Sequence, residues 1–237
     1  MNRVRRAAAA RRLVSRRTAV VHRLASVLLA YPTPELIALL PVVRAASREL
    51  PEREREPFTG LIDHLGARRL VELQADYVET FDLRRRCSPY LTYYAYGDTR
   101  KRGVALVEFK QAYRHAGFEM TGDGSPELPD HLAVVLEFCS SQDAASQEAG
   151  IRLLLAHRAG LELLRIALQD AGSPYAGVLV AVCGTLPPLA GEDRAAVAKL
   201  AAEGPPDEEV GLEPFAPPSY MPAQHHPVPL PTPGARS

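Results

Sequence analysis

The chain has 237 residues, of which 46% are hydrophobic and 24% charged, the usual proportions for a protein that buries a core. Its formal net charge is zero, but the first 17 residues carry seven arginines and no acid, so residues 18–237 carry a net −7. This acidic remainder favours a cationic partner and argues against nucleic acid as the default one.

The basic segment 1–17 is predicted to be a disordered extension. Ser15, Arg16 and Arg17 resemble a twin-arginine export signal, but His22 and Arg23 interrupt the apolar run that would have to follow. Three cysteines, far apart and odd in number, do not suit the disulfide framework of a secreted domain. No apolar run approaches the roughly 20 residues that span a bilayer. We therefore expect a cytoplasmic protein without stable membrane insertion.

Apolar residues recur every three or four positions through much of the chain, which is the period of one helix face. Thr33 is placed to cap a helix that begins at Pro34, and Asp130 holds the corresponding position before a later helix. Gly117 is placed to end another. The predicted helices are 20–31, 34–47, 58–66, 67–81, 104–117, 131–141, 148–172, 175–186 and 192–204, with a strand as the alternative for 175–186.

The predicted fold class is all-α. No segment between residues 18 and 203 alternates convincingly at period two, so these residues are expected to form a single-domain bundle of about eight or nine helices. Residues 204–237 contain ten prolines and almost no apolar periodicity. They are predicted to be a disordered tail.

The sequence contains no recognisable catalytic, cofactor-binding or metal-binding pattern. Neither Cys-x-x-Cys nor His-Glu-x-x-His occurs, and His131 and Glu137 are six residues apart, which places them on different faces of a helix. Cys87 stands among arginines, a setting that lowers a thiol pKa, but no base accompanies it. We predict that the protein is not an enzyme and uses no cofactor or metal.

One stretch concentrates aromatic and basic residues. Residues 83–103, "LRRRCSPYLTYYAYGDTRKRG", contain four tyrosines and six arginines or lysines; we call them the tyrosine–arginine segment. Such interleaving is found on nucleic-acid surfaces, which makes a helical nucleic-acid-binding regulator using residues 84–102 the alternative hypothesis. The segment can equally cross a helical bundle with half-buried tyrosines and arginines paired to acids. The acidic body favours the crossing.

This stretch and its neighbours also carry a family resemblance. "YVETFDLRRRCSPYLTYYAYGDTRKRGVALVEFKQAYRHAGF", followed by "SPELPDHLAVVLEF", resembles the NarJ-type (delta subunit) family of respiratory nitrate reductase assembly chaperones. The matching elements are Tyr77–Asp82, Tyr90–Tyr93, Gly97–Gly103, Glu127–Leu132 and Leu136–Phe138. Pro89 stands where the family pattern has leucine.

The resemblance implies an all-helical chaperone that binds the catalytic alpha subunit of nitrate reductase, including its N-terminal peptide. Such a chaperone keeps its client competent for insertion of the molybdenum cofactor and delays membrane anchoring. Molybdenum cofactor biosynthesis proteins are further implied partners. No catalytic role and no cofactor of its own are implied.

Peptide recognition by a helical protein commonly uses an apolar groove with charges at its rim. Leu91, Tyr93, Tyr94 and Phe138 are the candidates for groove contacts, with core packing as the alternative for each. The acidic rim is predicted to comprise Asp82, Asp98, Asp130 and Glu137. For Asp130 the alternative is helix capping, and for Asp98 it is pairing with Arg100 or Arg102 to hold the Gly-Asp-Thr-Arg turn.

Overall fold

The structure, a computed structural model, describes residues 3–119, 127–189 and 191–206. Over these residues the chain is helical and forms no strand, so the all-α prediction is confirmed. A π-helical turn, Val78–Asp82, and a 3-10 turn, Arg85–Cys87, precede α6. The α-helices are α1 (Arg3–Leu13), α2 (Arg16–Leu28), α3 (Pro34–Ser47), α4 (Glu52–Ala67), α5 (Leu70–Tyr77), α6 (Tyr93–Tyr96), α7 (Arg100–His115), α8 (Leu132–Cys139), α9 (Ala144–Ala156), α10 (Arg158–Asp170), α11 (Ala176–Gly184) and α12 (Glu192–Glu203).

The described residues contain more helices than the eight or nine predicted. The predicted helix 148–172 is two helices, α9 and α10, because His157 leaves helical geometry at φ −106° and ψ 25°. Its half-buried ring packs against Phe109, with ring centroids 5.2 Å apart. Hydrophobic periodicity continues through this break, so the pattern alone does not reveal it.

The basic segment 1–17 differs from the prediction, because α1 lies within it. Four consecutive alanines, the best helix formers, occupy the middle of α1. Ala10 is fully buried, and Leu13 and Val14 pack against the core, where α1 meets α9. The density of arginines in this segment hides the alanine run and the apolar residues Leu13 and Val14, which favour a packed helix. Most of the predicted tail, residues 207–237, lies outside the described residues.

The core is built around α2, α8, α10 and α11. Helix α2 packs against α8, α11 and α3, while α10 packs against α11 and α12. The strand alternative for 175–186 is wrong: Val178, Leu179 and Val182 are fully buried side chains of α11. Gly160 allows α10 to approach α6, since a Cβ there would lie 2.7 Å from the Cβ of Tyr94.

Candidate functional site

The tyrosine–arginine segment crosses the helical bundle, which is the second of the two interpretations given above. Tyr90 forms an isolated antiparallel bridge with His131. The Leu91 N–H donates to the carbonyl of Asp130 at 3.1 Å, and the Leu132 N–H donates to the carbonyl of Pro89 at 2.8 Å. The segment is thereby fastened to the turn that leads into α8.

Asp130 is the buried centre of this attachment. Its side chain is fully buried, and Oδ2 accepts from the Thr92 N–H at 3.1 Å and from the Thr92 hydroxyl at 2.5 Å. Arg102 reaches the same oxygen at 3.8 Å and also donates to Asp98 at 2.9 Å and to the Thr92 hydroxyl at 3.2 Å. The guanidinium of Arg102 lies 5.3 Å from the centre of the Tyr90 ring.

Asp130 therefore has neither role suggested by its local sequence. It is not on an exposed acidic rim, because no part of it reaches solvent. It is not the cap of α8, because His131 takes that position and its Nδ1 accepts from the Ala133 N–H at 3.3 Å. The pairing of Asp98 with Arg102, one of the two pairings considered, is present. The charges of this turn hold two segments of the chain together.

The four aromatic and aliphatic side chains predicted to contact a peptide are all buried: Leu91, Tyr93, Tyr94 and Phe138. The Tyr94 hydroxyl lies 3.0 and 2.9 Å from two carbonyl oxygens of residues 86 and 88, and burial raises its pKa far above the usual range. Phe138 packs edge-on against Tyr113, with centroids 4.9 Å apart. Core packing is how this structure places them, and a partner would reach them only after a rearrangement of the bundle.

The remaining predicted acids are exposed but dispersed. Asp82 lies at the end of the π-helical turn, Asp98 on the turn before α7, and Glu137 on α8. Glu137 forms an ion pair with Arg23 of α2 at 2.6 Å. Among the predicted site residues, Glu137 lines an open cavity.

That cavity is an open groove of about 430 Å³ between α2, the start of α3 and α8. Its wall is largely apolar, and two of its large side chains are well exposed, Tyr31 at 41% and Leu39 at 47%. A contiguous exposed apolar surface of this kind marks an interaction site more often than a scattered single residue does. The main apolar side chains are Val27, Ala30, Tyr31, Leu36, Leu39 and Val134.

Acids surround the groove. Glu35, Glu127 and Glu137 line it, whereas Arg23, already paired with Glu137, is the one arginine or lysine among the described lining residues. The backbone N–H of Glu35, followed by the Thr33 hydroxyl, holds the pKa of the Glu35 carboxyl below its usual range. The rim is therefore net negative.

His131 lies at the base of the same groove and contributes little positive charge near neutral pH. Burial lowers the pKa of its imidazole, although the nearby carboxylates of Glu127, Asp130 and Asp82 oppose that shift. Its ring packs edge-on against Tyr90 at 5.3 Å, and the Tyr90 hydroxyl donates to Glu127 at 3.2 Å. The groove floor is thus connected to the tyrosine–arginine segment.

The groove combines the predicted kind of surface, apolar with an acidic rim, with mostly different residues. A signal for it was present in α3, "PELIALLPVVRAAS", which is apolar on too many sides for a helix with a single buried face. Leu39 and Val42 are the apolar side chains of α3 that lie outside its buried face, and they are 47% and 63% exposed. Helices α2 and α3 supply walls of the groove, and none of the predicted site residues lies on either helix.

Two of the cationic residues of the tyrosine–arginine segment are engaged within the chain. Arg84 is paired with Glu79 at 2.6 Å, and Arg102 is turned inward to Asp98 and Thr92. The pKa of the Cys87 thiol is raised, chiefly by burial, which outweighs the opposing charge of Arg84. This is the reverse of the effect expected from its arginine-rich neighbourhood.

Two further properties concern the described residues as a group. None of their helices is both long and apolar enough to cross a bilayer. No cluster of three or more histidine, cysteine, aspartate or glutamate side chains among them could hold a metal ion.

Comparison with known proteins identifies the family. The model of the nitrate reductase delta subunit family matches residues 47–181. The chain belongs to this family. The match includes the tyrosine–arginine segment and α8, but α2 and nearly all of α3, which form the other walls of the groove, precede it.

The chain is similar in sequence to several named proteins. The "Nitrate reductase-like protein NarX" of Mycobacterium tuberculosis is 40% identical over 179 residues, which cover 70% of this chain and 24% of NarX. The chain thus spans about a quarter of that relative. The "Probable nitrate reductase molybdenum cofactor assembly chaperone NarJ" of Bacillus subtilis is 33% identical over 65% of this chain and 81% of its own length. The chaperone NarJ of Escherichia coli is 31% identical over 56% of this chain and 53% of its own.

Proposed function

We propose that this delta-family protein is a cytoplasmic chaperone for the catalytic alpha subunit of a nitrate reductase. It binds the N-terminal peptide of that subunit and keeps the subunit competent for molybdenum cofactor insertion before membrane anchoring. Relatives named as assembly chaperones support the role, as does their detectable similarity over more than half of this chain. Proteins that synthesise the molybdenum cofactor are further proposed partners. The protein itself catalyses no reaction.

The observation that carries the proposal is the apolar groove with its acidic rim. An amphipathic peptide helix placed there would cover Leu39 and Tyr31 with its apolar face. Basic residues flanking that face would meet Glu35 and Glu137. This arrangement accounts for both the negative charge of the rim and the exposure of the apolar side chain of Leu39 on α3.

The test titrates a synthetic N-terminal peptide of the alpha subunit into the protein by calorimetry. Leu39 is about half exposed, so its coverage contributes roughly 1 kcal/mol, half the value for burying a leucine completely. Leu39→Ser should therefore raise the dissociation constant about fivefold. Val104→Ser, at a 71% exposed position on α7, is the matched control and should leave affinity unchanged.

Charge is tested in the same titration. Glu137→Lys should weaken binding more at low salt than at high salt, because dissolved ions screen the attraction between exposed charges of the rim and the peptide. Glu108→Lys, at an exposed position on α7, changes the net charge equally and should have little effect. A peptide that produces no heat, or that binds all four variants equally, would contradict the groove as the binding site.

A further inference from the structure

Helix α7 has one buried side and one exposed side. The buried side consists of Ala105, Phe109 and Tyr113. Residues three or four positions apart share a side of a helix, and the exposed side carries Arg100, Val104, Val107, Gln111 and Arg114. Val104 and Val107 are 71% and 48% exposed, so two apolar side chains lie between cationic ones on a surface that is open to a partner.

The cations of this exposed side are not neutralised within the described chain. Four basic side chains of α7 are exposed and form no ion pair with a described residue: Arg100, Lys101, Lys110 and Arg114. Arg17, Arg23 and Arg44, by contrast, each pair with an acid on another helix. Glu108 is the one acid in the sequence of α7. The exposed side is therefore net positive on a chain whose residues 18–237 carry a net −7.

The groove between α2, α3 and α8 has the complementary character, because its wall is apolar and its rim is acidic. Such a groove accepts a helix whose apolar side chains are flanked by basic ones, and α7 is a helix of this kind. It cannot enter its own groove, because Phe109 and Tyr113 hold its other side in the core and the Tyr113 hydroxyl donates to the carbonyl of Pro129 at 2.5 Å. An anionic lipid surface would attract the same cations but repel the acidic remainder of the chain. Charge complementarity therefore favours the groove of a second copy.

We propose that this protein associates reversibly with itself, with α7 of one copy lying in the groove of a second copy. The valines of α7 contact the apolar wall, and its cations meet the rim acids Glu35, Glu127 and Glu137. Because the two surfaces differ, the contact is head-to-tail. It uses a few partly exposed side chains, so it is weak and depends on protein concentration. The proposal depends on the groove and not on the identity of the client that the groove binds.

Sedimentation velocity of the full chain at low salt, from low micromolar to near-millimolar concentration, tests the proposal. The mean mass should rise above that of the monomer with concentration and fall again when salt is added, because ions screen the complementary charges. Replacing Val104 and Val107 together by serine should raise the dissociation constant of self-association about tenfold. Serine has nearly the helix propensity of valine, so α7 is retained. Val71→Ser, at a 75% exposed position on α5, is the matched control and should leave the constant unchanged.

Charge is tested on the same helix. Lys110→Glu should weaken self-association at low salt, whereas Arg53→Glu, at an exposed position on α4, changes the net charge equally and should have little effect. Far-UV circular dichroism checks that each variant is folded. A native chain that remains a monomer over the whole concentration series would overturn the proposal. If such a chain binds phosphatidylglycerol vesicles and loses them with the two valines, α7 docks on lipid and not on a second copy.

Mixing two variants distinguishes this contact from one between like surfaces. The double valine variant keeps its groove, and a variant with Leu39→Ser and Glu137→Lys keeps α7. Each should self-associate weakly alone, whereas the equimolar mixture should regain association, because one variant supplies α7 and the other the groove. A mixture that associates no better than either variant would refute the head-to-tail contact.

Peptide titration of the same samples separates this inference from the proposed function. It is done at low micromolar concentration, where the chain is monomeric, so Val104→Ser and Glu108→Lys remain valid controls there. Peptide binding without self-association would contradict this inference alone. Self-association without peptide binding would contradict the proposed function alone.

Discussion

The buried network around Asp130 provides the most direct test of how the tyrosine–arginine segment is used. Thr92→Val preserves side-chain shape but removes the hydroxyl, which donates to Asp130 at 2.5 Å and accepts from Arg102 Nε at 3.2 Å. Hydrogen bonds to charged groups contribute about 1.5–3 kcal/mol each, and the Thr92 N–H still donates to Asp130. We expect the free energy of unfolding to fall by roughly 2–3 kcal/mol.

Urea unfolding followed by far-UV circular dichroism measures this loss. In a thermal scan of a chain of this size, the same loss should lower the melting temperature by roughly 4–12 °C. The matched control is Thr99→Val in the same segment, whose hydroxyl makes one bond, to the carbonyl of Tyr96 at 2.8 Å. It should cost about 1 kcal/mol or less. Equal effects of the two substitutions would refute the view that the Asp130 network pins the crossing.

Two further predictions concern protonation and packing. Burial lowers the pKa of both His22 and His157 to about 4, so the unfolded chain binds more protons below pH 6.5 and stability should be lost between pH 6.5 and 4. Each histidine contributes about 1.4 kcal/mol per pH unit in that window, and His157→Phe should reduce the slope of unfolding free energy against pH by that amount. Gly160→Ala should cost about 1–3 kcal/mol, because its Cβ would overlap Tyr94. In contrast, Gly103→Ala in α7, with open space around it, should be neutral or stabilising by up to about 1 kcal/mol in the same urea assay.

Local sequence signals predicted local structure well. The Thr33 hydroxyl accepts from the Leu36 N–H at 3.2 Å, as the Thr-Pro pattern indicated, and Gly117 has φ +74° just beyond the end of α7. These features depend on neighbours within a few residues, so the sequence displays them directly. The same reasoning was wrong for Asp130, whose partner, Thr92, is 38 residues away. A capping pattern cannot indicate a competing tertiary hydrogen bond.

The candidate site was less predictable than the fold. Aromatic residues were expected to mark a binding surface, but Tyr94 and Phe138 are buried in the core. A large hydrophobic side chain is expected to be shielded from water. Its identity does not determine whether the protein's own core or a binding partner shields it. Leu39 is on the groove because α4 covers a different side of α3, which only the packing of helices decides.

Helix α2 serves the core and the groove with adjacent positions. Leu24, Ala25 and Leu28 are buried, while Arg23 and Val27 line the groove. Because Arg23 is exposed, whereas Val27 is half-buried and also packs against the core, substitutions at Arg23 can alter the proposed peptide groove with little change in core packing. If the groove binds a client as proposed, selection can change its preference through the exposed groove positions of α2 without first gaining stability elsewhere, and diversity among relatives is expected to concentrate at those positions.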